Sequence, residues 1–113
     1  MGSKGKVHGI IIESSGTISA VQSHVPIQYF KREFSIESTN TTPFQDCVLI
    51  GDLAESEWER NRLATHTFSS PVWLSGPIMV LGKGELDLPD WCFRMVMEKR
   101  AALRLKAEQS FEA

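Results

Sequence analysis

The segment Trp91-Cys92-Phe93-Arg94-Met95-Val96-Met97 opens a predicted C-terminal helix that is apolar on nearly every side. A helix covering a single core needs only one apolar stripe, so this one requires cover on two sides. At about 100° per residue, Trp91, Cys92, Met95, Val96, Ala102 and Leu103 share one broad face, expected to lie on a sheet. Phe93, Met97, Arg100 and Arg104 follow one another at spacings of four, three and four and project from the opposite side. Met and Arg are both enriched in protein interfaces, so these four residues are the candidate partner-binding or self-association stripe. The competing structural reading buries Phe93 and Met97 under a loop such as Glu37 to Pro43.

The remaining apolar runs are short. Gly9-Ile10-Ile11-Ile12 is nearly continuous and predicts a strand over Lys6 to Ser14 buried on both faces. Ser14-Ser15-Gly16 supplies turn chemistry, and Thr17 to Val21 alternates polar with apolar, which makes a hairpin. Between Ile27 and Ile36, strand alternation fits Ile27, Tyr29, Phe34 and Ile36 only if Lys31-Arg32 interrupts it, whereas Ile27, Phe30 and Phe34 fit a helix; a strand in the second half is preferred. Glu37 to Pro43 reads as an exposed loop and Asp46 to Ile50 as a buried strand.

Ser56-Glu57-Trp58-Glu59 matches a capping box, predicting a short helix from Glu57 to Ala64. Val72-Trp73-Leu74 and Ile78 to Leu81 read as strands around Ser75-Gly76-Pro77, with Pro77 starting the second or lying at a bulge. Asp87 is the expected cap of the C-terminal helix, which tolerates Pro89 in its first turn, benefits from Asp90 there, and runs to about Glu108. Together these elements predict one α+β domain over residues 1–113, with a mainly antiparallel sheet of about five strands.

Composition excludes several classes. With 113 residues, 42% hydrophobic and 23% charged, the chain belongs with soluble globular domains that need no disulfide or metal to fold. Cys47 and Cys92 both lie in apolar runs and read as reduced core residues. No apolar run approaches the roughly 18 residues that span a bilayer, and Ile10-Ile11-Ile12 is too short for a secretory signal, so no membrane association and a cytoplasmic location are expected. Met1-Gly2 starts like a myristoylation site, but Lys6 stands where Ser or Thr is required; residues 1–5 read as a flexible terminus.

Charge falls in blocks. From Glu33 to Glu59 there are seven acids (Glu33, Glu37, Asp46, Asp52, Glu55, Glu57, Glu59) and no Lys or Arg, while Arg94 to Lys106 holds five bases (Arg94, Lys99, Arg100, Arg104, Lys106) against Glu98. The acidic block suits a basic partner, and the two blocks could meet head to tail between subunits. The basic helix could alternatively touch nucleic-acid phosphates, but a net charge of -2 and the lack of an aromatic-basic pattern disfavour that use.

No catalytic motif emerges. Cys47 could meet His8 as a nucleophile–base pair only if their strands came together, and the nearest Cys–His pair, Cys47 and His66, is nineteen apart, too far for a compact zinc motif. Gly82-Lys83-Gly84 lacks the terminal Lys-Ser or Lys-Thr of a phosphate loop and is followed by Glu85 and Asp87. No enzyme activity, cofactor or metal is expected; the second alternative, after nucleic-acid binding, is a small enzyme or ligand-binding domain whose pocket no motif marks.

Three segments, Gly9-Ile10-Ile11-Ile12-Glu13 with the Gly16 turn, Asn61-Arg62-Leu63, and Ser75 to Gly82, resemble in order and spacing a family of small uncharacterised proteins encoded by phages, plasmids and other mobile elements. That resemblance implies a regulatory accessory protein that acts in the host cytoplasm by binding and modulating a host factor. It carries over no active-site residue.

Overall fold

Three apolar runs form the centre of a five-stranded sheet because each has a buried neighbour on both faces. The computed structural model describes residues 5–112 of the chain, and the side chains of residues 5–106. Its strands are β1 (Val7–Ile12), β2 (Ile18–Ser23), β3 (Thr39–Phe44), β4 (Cys47–Asp52) and β5 (Ile78–Gly82). Its helices are α1 (Pro26–Phe34), α2 (Arg62–Thr67) and α3 (Asp90–Glu112). The sheet order is β2-β1-β5-β4-β3, and every neighbouring pair is antiparallel. Residues 1–4, which hold most of the N-terminal segment expected to be flexible and its Gly2, lie outside the described residues.

Strand side chains alternate, so successive residues of each run serve different cores. Ile10, Ile12, Cys47, Leu49, Ile78 and Val80 point to one face, where they meet Leu63, Ala64 and Phe68 from α2 and its end and Cys92 and Val96 from α3. Ile11, Val21, Ile50, Met79 and Leu81 point to the other, where Phe30 of α1 and Ile36 cover them. A one-residue slip would exchange these two sets, so burial on both faces fixes the register. The result is a single α+β domain, as expected, with α1 on one side of the sheet and α2 with α3 on the other. Among the described residues no helix is long and apolar enough to cross a membrane.

The β1–β2 hairpin forms where turn chemistry placed it. The Gly16 amide donates to the Glu13 carbonyl at 2.8 Å and the Glu13 amide to Thr17 at 2.9 Å. Gly16 has φ +91, the left-handed conformation that glycine adopts without a Cβ penalty.

Several sequence expectations are corrected. Pro26–Phe34 is helical rather than ending in a strand: Pro26 starts the helix, Phe30 is fully buried, and Lys31 and Arg32, which interrupted the strand pattern, occupy the last turn, where cations are favourable. Ser35 then closes it at φ 54, with the Ile36 amide bonded to the Lys31 carbonyl at 2.8 Å. Residues 39–44 are not a loop but the edge strand β3; Thr41, Thr42 and Pro43 are exposed as expected, and an edge is where a proline is tolerated.

Ser56 caps nothing. Glu55–Glu57 makes one 3-10 turn, Trp58 is extended with its indole Nε1 donating to Asp52 at 2.8 Å, and the helix starts only after Asn61. Val72 to Leu74 is not a strand, because the backbone groups of Leu74 bond to Asn61 and to Thr65 Oγ1 rather than to a ladder. Asp87 does not cap α3: its carboxylate accepts the His8 amide at 2.9 Å while the Leu88 amide donates to the His8 carbonyl, so this stretch extends along β1 and the Pro89 carbonyl accepts the Cys92 and Phe93 amides of α3. Ala102, assigned to the core face, is exposed.

Candidate functional site

The orientation of α3 follows from its deepest side chains. Cys92 and Val96 are both 0% exposed, and Trp91, Met95 and Leu103 pack partly buried against the same core. Helical spacing then leaves Phe93, Met97, Arg100 and Arg104 on a flank turned away from that core. Phe93 is 43% exposed, Met97 and Arg100 are half-buried, and Arg104 is exposed. Residues 39–44, expected as a possible covering loop, belong to β3 instead. From Ala101 to Lys106 only Leu103 is partly covered, and Leu105 is 57% exposed.

The stripe is not uniform along the helix. Met97, Arg100 and Arg104, with Ala101 and Leu105, line a shallow hollow of about 410 Å3 to which Phe93 does not contribute. Towards α2, the same Arg100 and Arg104 together with Leu103 line a second cavity of about 230 Å3 with Arg62 and Leu63 of α2 and the Ser14-Ser15-Gly16 turn. Arg62 and the turn escaped notice as site residues because nothing local links them to α3. Their only sequence signals are a basic residue beside a capping asparagine and a glycine turn.

Asn61 brings these pieces together. It is 0% exposed, and its Nδ2 donates to the carbonyls of Ile12 and Gly76, both at 2.7 Å, while its Oδ1 accepts the Ala64 amide at 3.0 Å. One side chain therefore caps α2 and ties it to the end of β1. The Ser14 hydroxyl adds a 3.0 Å bond to the Glu59 carbonyl, holding the hairpin turn against the segment that leads into Arg62.

Among the described residues, the titratable groups elsewhere form no reactive pair. Cys47 and Cys92 are both buried free thiols, neighbours in the same core. Burial, followed by the neighbouring Cys47 thiol, pushes the Cys92 thiol up to about 12, and burial also raises Cys47, so both stay protonated and unreactive at neutral pH. The strand pairing that a Cys47–His8 approach would need does not occur: β5 lies between their strands, and His8 is exposed. His66 stands edge-on to Trp73 at 6.0 Å, and Arg60 lies 5.0 Å over the same indole. In the Gly82-Lys83-Gly84 turn, the Gly82 and Lys83 amides already bond to Leu86 and Asp46 carbonyls, consistent with an ordinary turn. Among the described residues no three His, Cys, Asp or Glu side chains gather as a metal site would require.

Comparisons of the chain with protein-family models, with curated proteins and with solved structures found no match.

Proposed function

We propose that this chain is a non-catalytic interaction protein, an accessory regulator that binds another protein through the outer flank of α3. Its partner presents an acidic segment with apolar side chains. The observation that carries this reading is the alignment of Phe93, Met97, Arg100 and Arg104 on one flank, with Phe93 and Leu105 left 43% and 57% exposed among five bases. Large apolar side chains left exposed to water lose hydrophobic free energy and regain it on docking. The flanking guanidiniums select a partner of opposite charge and speed its approach. The resemblance to mobile-element proteins makes that partner a factor of the host cytoplasm.

The test compares immobilised wild-type protein with a Phe93→Glu variant and a Met97→Glu variant, with circular dichroism confirming that each remains folded. Retention of one protein by the wild type, its loss from both folded variants, and mapping of the contact to an acidic segment is the expected outcome. Equal retention by wild type and variants would overturn the docking surface. Light scattering supplies the other arm: a dimer mass that falls to the monomer in Met97→Glu would assign the flank to a second copy of the chain instead.

A further inference from the structure

The cavity between α2, α3 and the β1–β2 turn carries a concentration of positive charge. Arg62, Arg100 and Arg104 all line it, and among the described residues no carboxylate does. Arginine stays protonated at any ordinary pH, so the three guanidiniums cannot relieve their mutual repulsion by losing a proton. Arg100 and Arg104 lie one turn apart on the same helix, a like-charge spacing that costs helix stability by itself. The carboxylate residues Glu13 and Glu59 line an adjoining hollow that shares Ser14 and Ser15 with the cavity but none of its arginines.

We propose that this cavity binds a phosphate group, either free or carried on a small molecule. Guanidinium forks match the tetrahedral oxygens of phosphate and bond to them in pairs. A phosphomonoester carries about -1.5 to -2 charges near neutrality, which suits three cations better than a single carboxylate does. Leu63, buried at the base of α2, and half-buried Leu103 give the cavity an apolar wall for a carbon skeleton. A volume of about 230 Å3 admits a compact phosphorylated compound and falls below the roughly 300–1,000 Å3 of pockets for larger ligands. The site is also held in place without ligand, because Asn61 links α2 to β1 and Ser14 links the turn to Glu59. Such prior positioning lowers the ordering cost of binding.

This site shares Arg100 and Arg104 with the docking flank and differs from it in Arg62 and the Ser14-Ser15-Gly16 turn, so Arg62→Gln separates the two. Amide and guanidinium NMR signals of the full chain are followed at constant ionic strength during titration with inorganic phosphate, ribose 5-phosphate, acetate or a 15-nucleotide single-stranded DNA. Saturable shifts at Ser14 to Gly16, Arg62, Arg100 and Arg104 with phosphate or ribose 5-phosphate, but not acetate, are the expected result. Comparing the two phosphate probes tells a free ion from a phosphorylated molecule. Folded Arg62→Gln and Arg100→Gln variants should each weaken that binding about tenfold or more, as expected for losing a charged hydrogen-bonding partner. The proposal is overturned by an absence of saturable shifts, by an equal response to acetate, by phosphate binding that neither variant weakens, or by DNA binding at least ten times tighter than either phosphate probe.

Discussion

The side-chain amide of Asn61 donates to the carbonyl of Ile12 at 2.7 Å across 49 residues of sequence, joining the end of β1 to the start of α2. The same amide bonds to Gly76, and its oxygen caps the Ala64 N–H, so replacing Asn61 with Ala leaves three backbone groups without their partner at a fully buried site. Each unsatisfied group costs about 1–3 kcal/mol, and the lost cap acts through one of them. Asn61→Ala should therefore lose about 3–5 kcal/mol in urea unfolding, on the same scale of costs. A loss under about 1 kcal/mol would show that the network is not what joins α2 to the sheet.

The two buried thiols should leave a signature at high pH. Cys92 is held protonated up to about 12 in the folded chain, whereas an unfolded thiol titrates near roughly 8.5. Its contribution is fully present below the unfolded value and is lost as pH rises toward about 12, because only the unfolded chain releases the proton in that window. Stability of the wild type should fall between pH 8.5 and 10.5 more steeply than that of Cys92→Ala, by up to about 1.4 kcal/mol per pH unit. Equal slopes would show that Cys92 is not held protonated. At pH 7 both thiols should resist an aromatic disulfide reagent until the chain is unfolded, and rapid labelling of Cys92 would mean that α3 is rotated.

That rotation can be checked from the apolar residues as well. Val96 is 0% exposed and Phe93 is 43% exposed. Truncation of Val96 to Ala removes buried methyl carbon and opens a cavity, at about 2 kcal/mol. Phe93→Ala should cost less than about 1 kcal/mol despite removing the larger side chain, since much of the ring is already in water. A reversal of that order in chemical denaturation would place Phe93 in the core and remove the docking flank.

Two glycines separate close packing from backbone conformation. At Gly9 an added Cβ would lie 2.6 Å from the Val80 carbonyl oxygen and 2.5 Å from Leu81 Cδ2, inside the sheet. At Gly16 it would meet nothing within 4 Å, and only the positive φ opposes it. Gly9→Ala should lose about 2–3 kcal/mol by overpacking, and Gly16→Ala about 1–2 kcal/mol through left-handed strain. Thermal melts of both variants test the order, and an undiminished Gly9→Ala melt would contradict the observed β1–β5 approach.

Legibility followed the range of the interactions. Ile10 to Ile12, Cys47 to Ile50 and Ile78 to Leu81 were readable as strands because continuous apolar sequence of that length states burial on two faces. Residues 26–34 misled because Phe34 and Ile36 mimic alternation; Phe30, enclosed in the second core, settles the segment as a helix. Ser56 and Asp87 carried genuine cap chemistry, yet the Trp58–Asp52 and Asp87–His8 bonds used the local backbone differently. The stripe on α3 was visible from spacing alone, whereas Arg62 beside it was not.

The sequence by itself determined which runs are buried on both faces, where the first hairpin turns, and that α3 carries an apolar-basic flank besides its core face. Those properties depend on neighbours within one or two turns or strand repeats, and periodicity records them directly. Only the tertiary structure decided that Asn61 rather than Ser56 starts α2, that residues 39–44 add an edge strand, and that Ser14 to Gly16, Arg62, Arg100 and Arg104 surround one cavity. The physical reason is that each of these outcomes depends on a partner remote in sequence. The bond from Asn61 to Ile12 is the clearest case, since it ties the start of α2 to a carbonyl 49 residues earlier in the chain.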